Sequence, residues 1–272
     1  MISANPYIPQ PVRLVEVIDE TPTIKTLVVE PEAPLDFKAG QFVQLTLPGV
    51  GEAPFTPSSS PLRPERLDVT VLRTGAVTDR FHQCSTGQTL GVRGPFGKGY
   101  PIDKARGKEV LVVGGGVGLA PLRALILALL EEIDQVKRLS IKYGARCMEE
   151  LLYRNEWESW AGHKKVDFTP TIDRPQEGWT GPTGVVTTLL KDLDVDKSNC
   201  MAFVCGPEVM LKFTTFALIE EGLSPEQIYL SMNRRMSCGM GLCGRCNIGP
   251  YYLCKDGPDM NYALIKDYPN VF

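Results

Sequence analysis

Apolar positions in the first hundred residues fall in short runs separated by turns. Residues 12–18, 24–30, 41–47, 67–73 and 89–93 each read as an extended segment, with Pro and Gly at the joints. One short helix is expected among them, at residues 78–84. That spacing predicts a small antiparallel barrel or sandwich. The pattern changes at Lys108. Residues 109–113 form a compact apolar strand, 121–133 a helix with a buried face, and 138–143 and 201–205 two further strands. Strands alternating with helices predict a parallel α/β sheet. A third segment opens near Tyr229 and holds four of the eight cysteines. The expected organisation is therefore β plus α/β in three parts: an antiparallel barrel over residues 1–106, a parallel-sheet domain over 107–229 and a small C-terminal lobe over 230–272.

Composition narrows the function classes. With 43% hydrophobic and 22% charged residues in 272, the chain is of ordinary globular type. The formal net charge of −3 gives no general electrostatic reason to bind nucleic acid or an anionic membrane. The longest uncharged stretch near the middle, residues 110–122, contains glycines and a proline and is too short to span a bilayer. The opening segment MISANPYIPQPV lacks a basic start and a continuous apolar run, so a secretory signal is not expected and the cytoplasm is the expected compartment. Cysteines in a reducing compartment point to metal binding or catalysis rather than disulfides. The two histidines, His82 and His163, lie far apart, which disfavours chemistry built on several imidazoles.

Three motifs carry chemistry. Cys238-x4-Cys243-x2-Cys246-x7-Cys254 has the plant-type [2Fe–2S] spacing, with Gly239, Gly241 and Gly244 letting the backbone curl closely round inorganic sulfide. Structural zinc is the alternative, although zinc ribbons usually offer two C-x2-C pairs and this segment has one. The run GGGVGLAP, from Gly114 to Pro121, follows a strand and opens a helix. Its glycines (Gly114, Gly115, Gly116, Gly118) permit close approach to a pyrophosphate at the helix start, or make an ordinary strand-to-helix turn. Hydroxyls cluster in Phe55-Thr56-Pro57-Ser58-Ser59-Ser60, and Thr78 is placed to cap a short helix after Arg73 and Gly75. The alternative there is a plain Ser/Pro loop and turn. Cys205-Gly206-Pro207 ends a strand, where ligands of open α/β sheets sit; an isolated cysteine there is otherwise buried packing.

The order of these motifs resembles the ferredoxin-NADP reductase superfamily over nearly the whole chain. Within it, the chain resembles the iron–sulfur flavoprotein subunits: the gamma subunits of soluble NAD(P)-linked [NiFe] hydrogenases, also called sulfhydrogenases, first, then the related flavoprotein subunit of anaerobic sulfite reductase and the dihydroorotate dehydrogenase electron-transfer subunit. The segments behind this are residues 40–45, 48–52, Arg93-Gly94-Pro95-Phe96-Gly97, the glycine turn, Cys205-Gly206-Pro207, and the terminal run from Arg234 through Cys254-Lys255-Asp256-Gly257-Pro258. The resemblance implies an FAD-binding barrel, an NAD(P)-binding domain and a [2Fe–2S] lobe. It matches Phe55 and Thr56 to a flavin-contacting Tyr-Ser pair, with Ser58 and Ser59 beside them. It matches Arg73, Gly75 and Thr78 to a second flavin segment, the glycines 114–118 to the pyrophosphate turn, and Cys205 and Gly206 to the nicotinamide side, with Cys205 in the catalytic position. The family's flavin-binding Arg falls where this chain has Ala53, and Arg73 is the expected compensating charge. Phe272 is expected to be incidental.

The expected activity is electron transfer between NAD(P)H, FAD and the cluster, since a flavin converts between a hydride and single electrons. The expected partners are the catalytic and iron–sulfur subunits of a larger oxidoreductase, a [NiFe] hydrogenase first, with sulfite reductase and dihydroorotate dehydrogenase behind it. A free-standing ferredoxin or oxygenase reductase and a zinc-stapled interaction module are the alternatives. NAD and NADP are not distinguished: Arg146 suits a 2′-phosphate and equally a solvated surface.

Overall fold

The computed structural model describes residues 5–272; the first four residues of the opening segment lie outside the described residues. The N-terminal part is a six-stranded sheet of β1 (Gln10–Thr21), β2 (Ile24–Pro31), β3 (Phe42–Leu47), β4 (Gly51–Phe55), β5 (Leu67–Leu72) and β6 (Thr89–Phe96). The spatial order is β4-β3-β6-β1-β2-β5, antiparallel at every pairing. Inward residues of β1, β2, β3, β5 and β6 share one core: Leu14, Leu27, Val43, Leu45, Val69 and Leu90 are all essentially unexposed. The sheet curls into a barrel, and register shifts in β1 after Leu14 and Asp19 help it bend. Helix α1 (Ala76–Phe81) starts two residues earlier than expected and drops Phe81 into that core. Strand β4 is absent from the sequence-based expectation, because Gly51 and Pro54 read as turn residues; the pairing of Val43 with Phe55 through Leu47 with Gly51 makes it a strand.

The second sheet holds five parallel strands, β7 (Glu109–Gly115), β8 (Arg138–Ala145), β9 (Val166–Ile172), β10 (Cys200–Cys205) and β11 (Ile228–Ser231). They lie in the order β11-β10-β7-β8-β9. Helix α2 (Leu119–Glu131) covers one face. Its Leu122, Leu125, Ile126 and Leu129 are buried against Val110, Val112 and Ile141. The short α3 (Trp157–Ala161) packs Trp160 edge-on against Phe168 of β9. On the other face Leu211 and Leu218 of α4 (Glu208–Glu220) meet Leu111, Val113 and Val204. A seam of buried polar contacts fastens this unit to the barrel: Tyr153 OH meets Thr70 Oγ1 at 2.7 Å, and Arg123 of α2 donates to the Ser58 carbonyl at 2.7 Å and to Asp68 at 3.2 Å.

The C-terminal segment is built from short pieces: the hairpin β12 (Asn247–Ile248) and β13 (Tyr251–Tyr252), α5 (Leu253–Asp256), β14 (Asp259–Asn261) and α6 (Tyr262–Ile265). The boundary expected between residues 229 and 230 falls inside β11. Beyond it the chain returns to the sheet as a sixth strand, because β14 pairs antiparallel with β11, Ser231 opposite Asp259. Among the described residues no helix is long and apolar enough to cross a membrane.

Candidate functional site

The first half of the site lies where the parallel strands end. β7 runs out at Gly115, one tight turn spans Gly116–Gly118, and α2 begins at Leu119. Gly116 has φ of +53°, and the space where its Cβ would stand is open, so a ligand can lie directly on this backbone. Gly118 serves a different need. A Cβ there would overlap the carbonyl of Cys205, so the turn and the end of β10 touch backbone to backbone. Gly115 and Gly206 both lie against the thioether of Met210, while Gly114 sits in strand register between Cys205 and Tyr143. A cavity of about 1020 Å³ opens above them. It is lined by Gly115, Gly116, Gly144, Arg146 and Pro207 from the sheet and by Thr23, Leu72 and Arg73 from the barrel. That is nucleotide size, at the carboxyl ends of parallel strands where such ligands bind. Arg146 stands in this wall, with Glu150 and Asp173 in the same lining.

On the barrel side the candidate residues separate. Phe55 is half-buried with its ring edge-on to Phe81, and Thr56 follows it at the end of β4. Arg73 lines the cavity, its Nε donating to Asp79 at 2.8 Å and the rest of the guanidinium exposed. Gly75 precedes α1, and the Thr78 hydroxyl accepts the Thr74 and Gly75 N–H groups at 2.9 Å each, so it folds back on its own turn. Ser58 and Ser59 are corrected by the structure. The Ser58 hydroxyl bonds to Thr70 Oγ1 and the Asp68 carbonyl, and Ser59 accepts from the Asp68 N–H. Both are buried in the seam, so their hydroxyls hold β5 in place and do not reach the cavity. Ala53 is paired with Leu45, and its neighbour Glu52 binds Arg93 with both carboxylate oxygens.

Cys205 ends β10 on the barrel-facing side, in one cluster with Tyr100, Phe203 and Tyr229. Burial pushes its thiol up to about 12, so it keeps its proton at neutral pH and is no nucleophile.

The cysteine lobe forms the second half. Cys246 and Cys254 sulfurs lie 3.4 Å apart, and Cys238 stands in the same lobe, half-buried. Backbone amides converge on the sulfurs: Met240 and Leu242 N–H on Cys238 at 3.4 Å, and Gly241 N–H on Cys254 at 3.0 Å. Burial alone would raise the Cys238 thiol, but the N–H groups of Met240, Cys243 and Leu242 outweigh it and bring it down to about 6. The four thiols gather in one lobe, where both Cys246 and Cys238 act on Cys254. The loop is tied to the barrel by a buried cation. Arg93, held by Glu52 at 2.6 Å, reaches the carbonyls of Ser237 at 3.4 Å and Cys238 at 3.5 Å. Gln44 bonds to the Met236 carbonyl, and Gly239 lies on the ring of Phe96.

Residues 12–100 match the oxidoreductase FAD-binding domain, 112–215 the oxidoreductase NAD-binding domain, and 233–266 the iron–sulfur cluster binding domain of dihydroorotate dehydrogenase B. The sulfhydrogenase 1 subunit gamma of Pyrococcus furiosus is 35% identical over all of this chain and 97% of its own length. The chain belongs to this family of iron–sulfur flavoproteins. A probable dihydroorotate dehydrogenase B electron transfer subunit from Methanocaldococcus jannaschii is 37% identical over 90% of this chain and 87% of its own. The fold matches a chain of the NADH-dependent reduced ferredoxin-NADP oxidoreductase, with TM-score 0.74, 25% identity, and 94% and 91% of the two chains covered. As a family member this protein is an NAD(P)H-linked flavin oxidoreductase with an iron–sulfur cluster, transferring electrons as one part of a multisubunit complex. Sequence reasoning missed the Arg93–Glu52 pair, 41 residues apart, and the buried Asp259. The one local sign of the first was the position of Arg93 at the head of the Arg93-Gly94-Pro95-Phe96-Gly97 motif; the second had none. Phe272 packs edge-on to Phe216, itself part of the cavity wall, and close to Tyr262.

Proposed function

We propose that this chain links NAD(P)H to a [NiFe] hydrogenase, moving electrons between a hydride donor and a two-iron cluster. Bound FAD supplies the conversion, because a flavin exchanges one or two electrons whereas nicotinamide exchanges a hydride. Gly114, Gly115, Gly116 and Gly118 shape the turn that receives the nicotinamide dinucleotide's pyrophosphate at the start of α2, and Cys205 and Gly206 border the nicotinamide. Phe55 and Thr56 face the flavin. Arg73 and Gly75, on the turn that Thr78 caps, serve the FAD phosphates in place of the Arg absent at Ala53. Cys238 and Cys243 hold one iron, Cys246 and Cys254 the other. The gathering of thiols under backbone N–H groups beside the Arg93 tether is the observation that carries this reading.

Hydrogenase is favoured over dihydroorotate dehydrogenase because similarity to the sulfhydrogenase subunits spans 100% and 95% of the chain, against 82–92% for the dihydroorotate dehydrogenase subunits. The expected result of anaerobic purification from the native host is a complex in which hydrogen gas bleaches the flavin. Bleaching by dihydroorotate instead assigns the other partner, and stoichiometric zinc without flavin ends the whole reading. Arg146 is the 2′-phosphate contact if NADPH is preferred: Arg146→Ala then raises KM for NADPH roughly tenfold and leaves NADH nearly unaffected.

A further inference from the structure

We propose that Arg123 is a positioning residue for hydride transfer: it clamps the flavin segment of the barrel to the helix that opens at the pyrophosphate turn, and so sets the distance and tilt between the two cofactors. The inference rests on the proposed function, in which the flavin lies at Phe55 and Thr56 and the dinucleotide at the glycine turn.

Arg123 stands four residues after Leu119, the first residue of α2, so it is about one helical turn from the glycine turn that ends at Gly118. Its partner in the barrel, Ser58, follows Thr56 by two residues. Few residues therefore separate each cofactor segment from the contact that joins them. The contact is directional. Nη1 donates to the Ser58 carbonyl at 2.7 Å and to Asp68 Oδ2 at 3.2 Å. On the other side Nε lies 2.9 and 3.0 Å from the two carboxylate oxygens of Glu156, and Nη2 lies 2.7 Å from one of them. The guanidinium carbon sits 4.9 Å from the centre of the Tyr153 ring. The Tyr153 hydroxyl meets Thr70 of β5 at 2.7 Å, and Thr70 in turn meets the Ser58 hydroxyl at 2.9 Å. Tyr153 is buried with φ of +53°, a strained backbone for a bulky residue that persists only where its surroundings hold it there. Tyr153 and Glu156 belong to the stretch between β8 and α3, and that stretch also supplies Arg146 and Glu150 to the wall of the cofactor cavity. Three cofactor-lining segments thus meet at one guanidinium.

Stability alone is a poor account of this cluster, because buried ion pairs repay their desolvation only with good geometry and apolar packing would hold two domains as firmly. What a planar fork of donors adds is orientation. Hydride transfer needs it, since a misplacement of about 1 Å between reacting groups can cost about 100-fold in rate. The flavin and nicotinamide segments lie on separate sheets, so the accuracy of their meeting is the accuracy of the seam.

The test uses full-length protein carrying its flavin and cluster, with Arg123→Gln, Arg123→Lys and Tyr153→Phe variants. Anaerobic stopped-flow reduction over a range of NAD(P)H concentrations gives the limiting rate and the half-saturating concentration. Long-wavelength charge-transfer absorbance reports how flavin and nicotinamide stack, and thermal melting reports the fold. Expected is a limiting rate about 30-fold lower in both Arg123 variants and about threefold lower in Tyr153→Phe, with weakened charge-transfer absorbance and a half-saturating concentration within about twofold of the wild type. Arg123→Lys keeps the charge and loses the fork, so it should melt close to the wild type while its limiting rate stays low. Wild-type limiting rates and charge-transfer absorbance in Arg123→Lys and Tyr153→Phe would overturn the proposal, and so would rates that fall only in proportion to lost flavin. Should the Arg123 variants fail to fold, Tyr153→Phe decides on the same readings. A wild-type flavin that NAD(P)H fails to reduce would overturn the functional reading and the clamp with it.

Discussion

The glycine turn and the cysteine loop receive their ligands in opposite ways. The turn is preformed: β7, β10 and α2 are long, apolar and packed into extensive cores, and the cavity opens where they stop. The loop has little packing of its own, with Leu242 and Cys243 exposed at its tip, and it is held by hydrogen bonds and a buried cation. A site shaped by a sheet keeps its form when empty. A site shaped by amides aimed at sulfur depends on the metal that those sulfurs bind.

The sharpest way to break the comparison is Cys246→Ser, which replaces a soft thiolate by a poor iron ligand. Cluster absorbance and electron delivery to the partner should both be lost, while NAD(P)H still bleaches the flavin. Retained delivery in a cluster-free variant would make the lobe merely structural. Next comes Asp259, at the junction of the two regions. Its pKa is raised in the fold to about 7 from an unfolded value near 4, so the neutral form is the compatible one. Stability is full below pH 4 and is lost as pH rises from there through 7, by about 3–4 kcal/mol for a shift of this size. Asp259→Asn should remove that slope in urea titrations at pH 5 and pH 8. Equal wild-type stability at the two pH values would contradict the assignment.

Arg93→Gln tests the tether. Loss of a buried partner of Glu52 should lower stability by about 2–3 kcal/mol, with early loss of cluster absorbance on warming. The smallest effect is expected at Gly116, where a side chain must adopt φ of +53° against the ligand. Gly116→Val should raise KM for NAD(P)H about tenfold, equivalent to roughly 1.4 kcal/mol, and leave flavin and iron content intact.

What the sequence disclosed was local. The cysteine spacing and the strand-glycine-helix succession are each defined within a few residues, and the succession stands in the structure where the sequence put it. The barrel followed from short apolar runs broken by turns, and the buried residues of β2 and β5 are apolar or hydrogen-bonded. What stayed hidden depends on distant partners. Ser58 looked like a rim hydroxyl because nothing nearby shows that Thr70 and Arg123 close over it. Strand β9 contains Pro170, and α4 carries Val209, Phe213 and Phe216 on its exposed side, so neither shows a clean period. β14 is three residues long and exists only because β11 has a free edge.

That last pairing bears on how the molecule matures. A bare sheet edge is a template for joining another chain. Here the strand that shields it is delivered by the iron-binding segment, so whatever unfolds that segment exposes the β11 edge as well. The lobe thereby guards the sheet as well as carrying the thiols, and a truncation before residue 232 would yield a fragment with a bare edge strand instead of a simpler reductase.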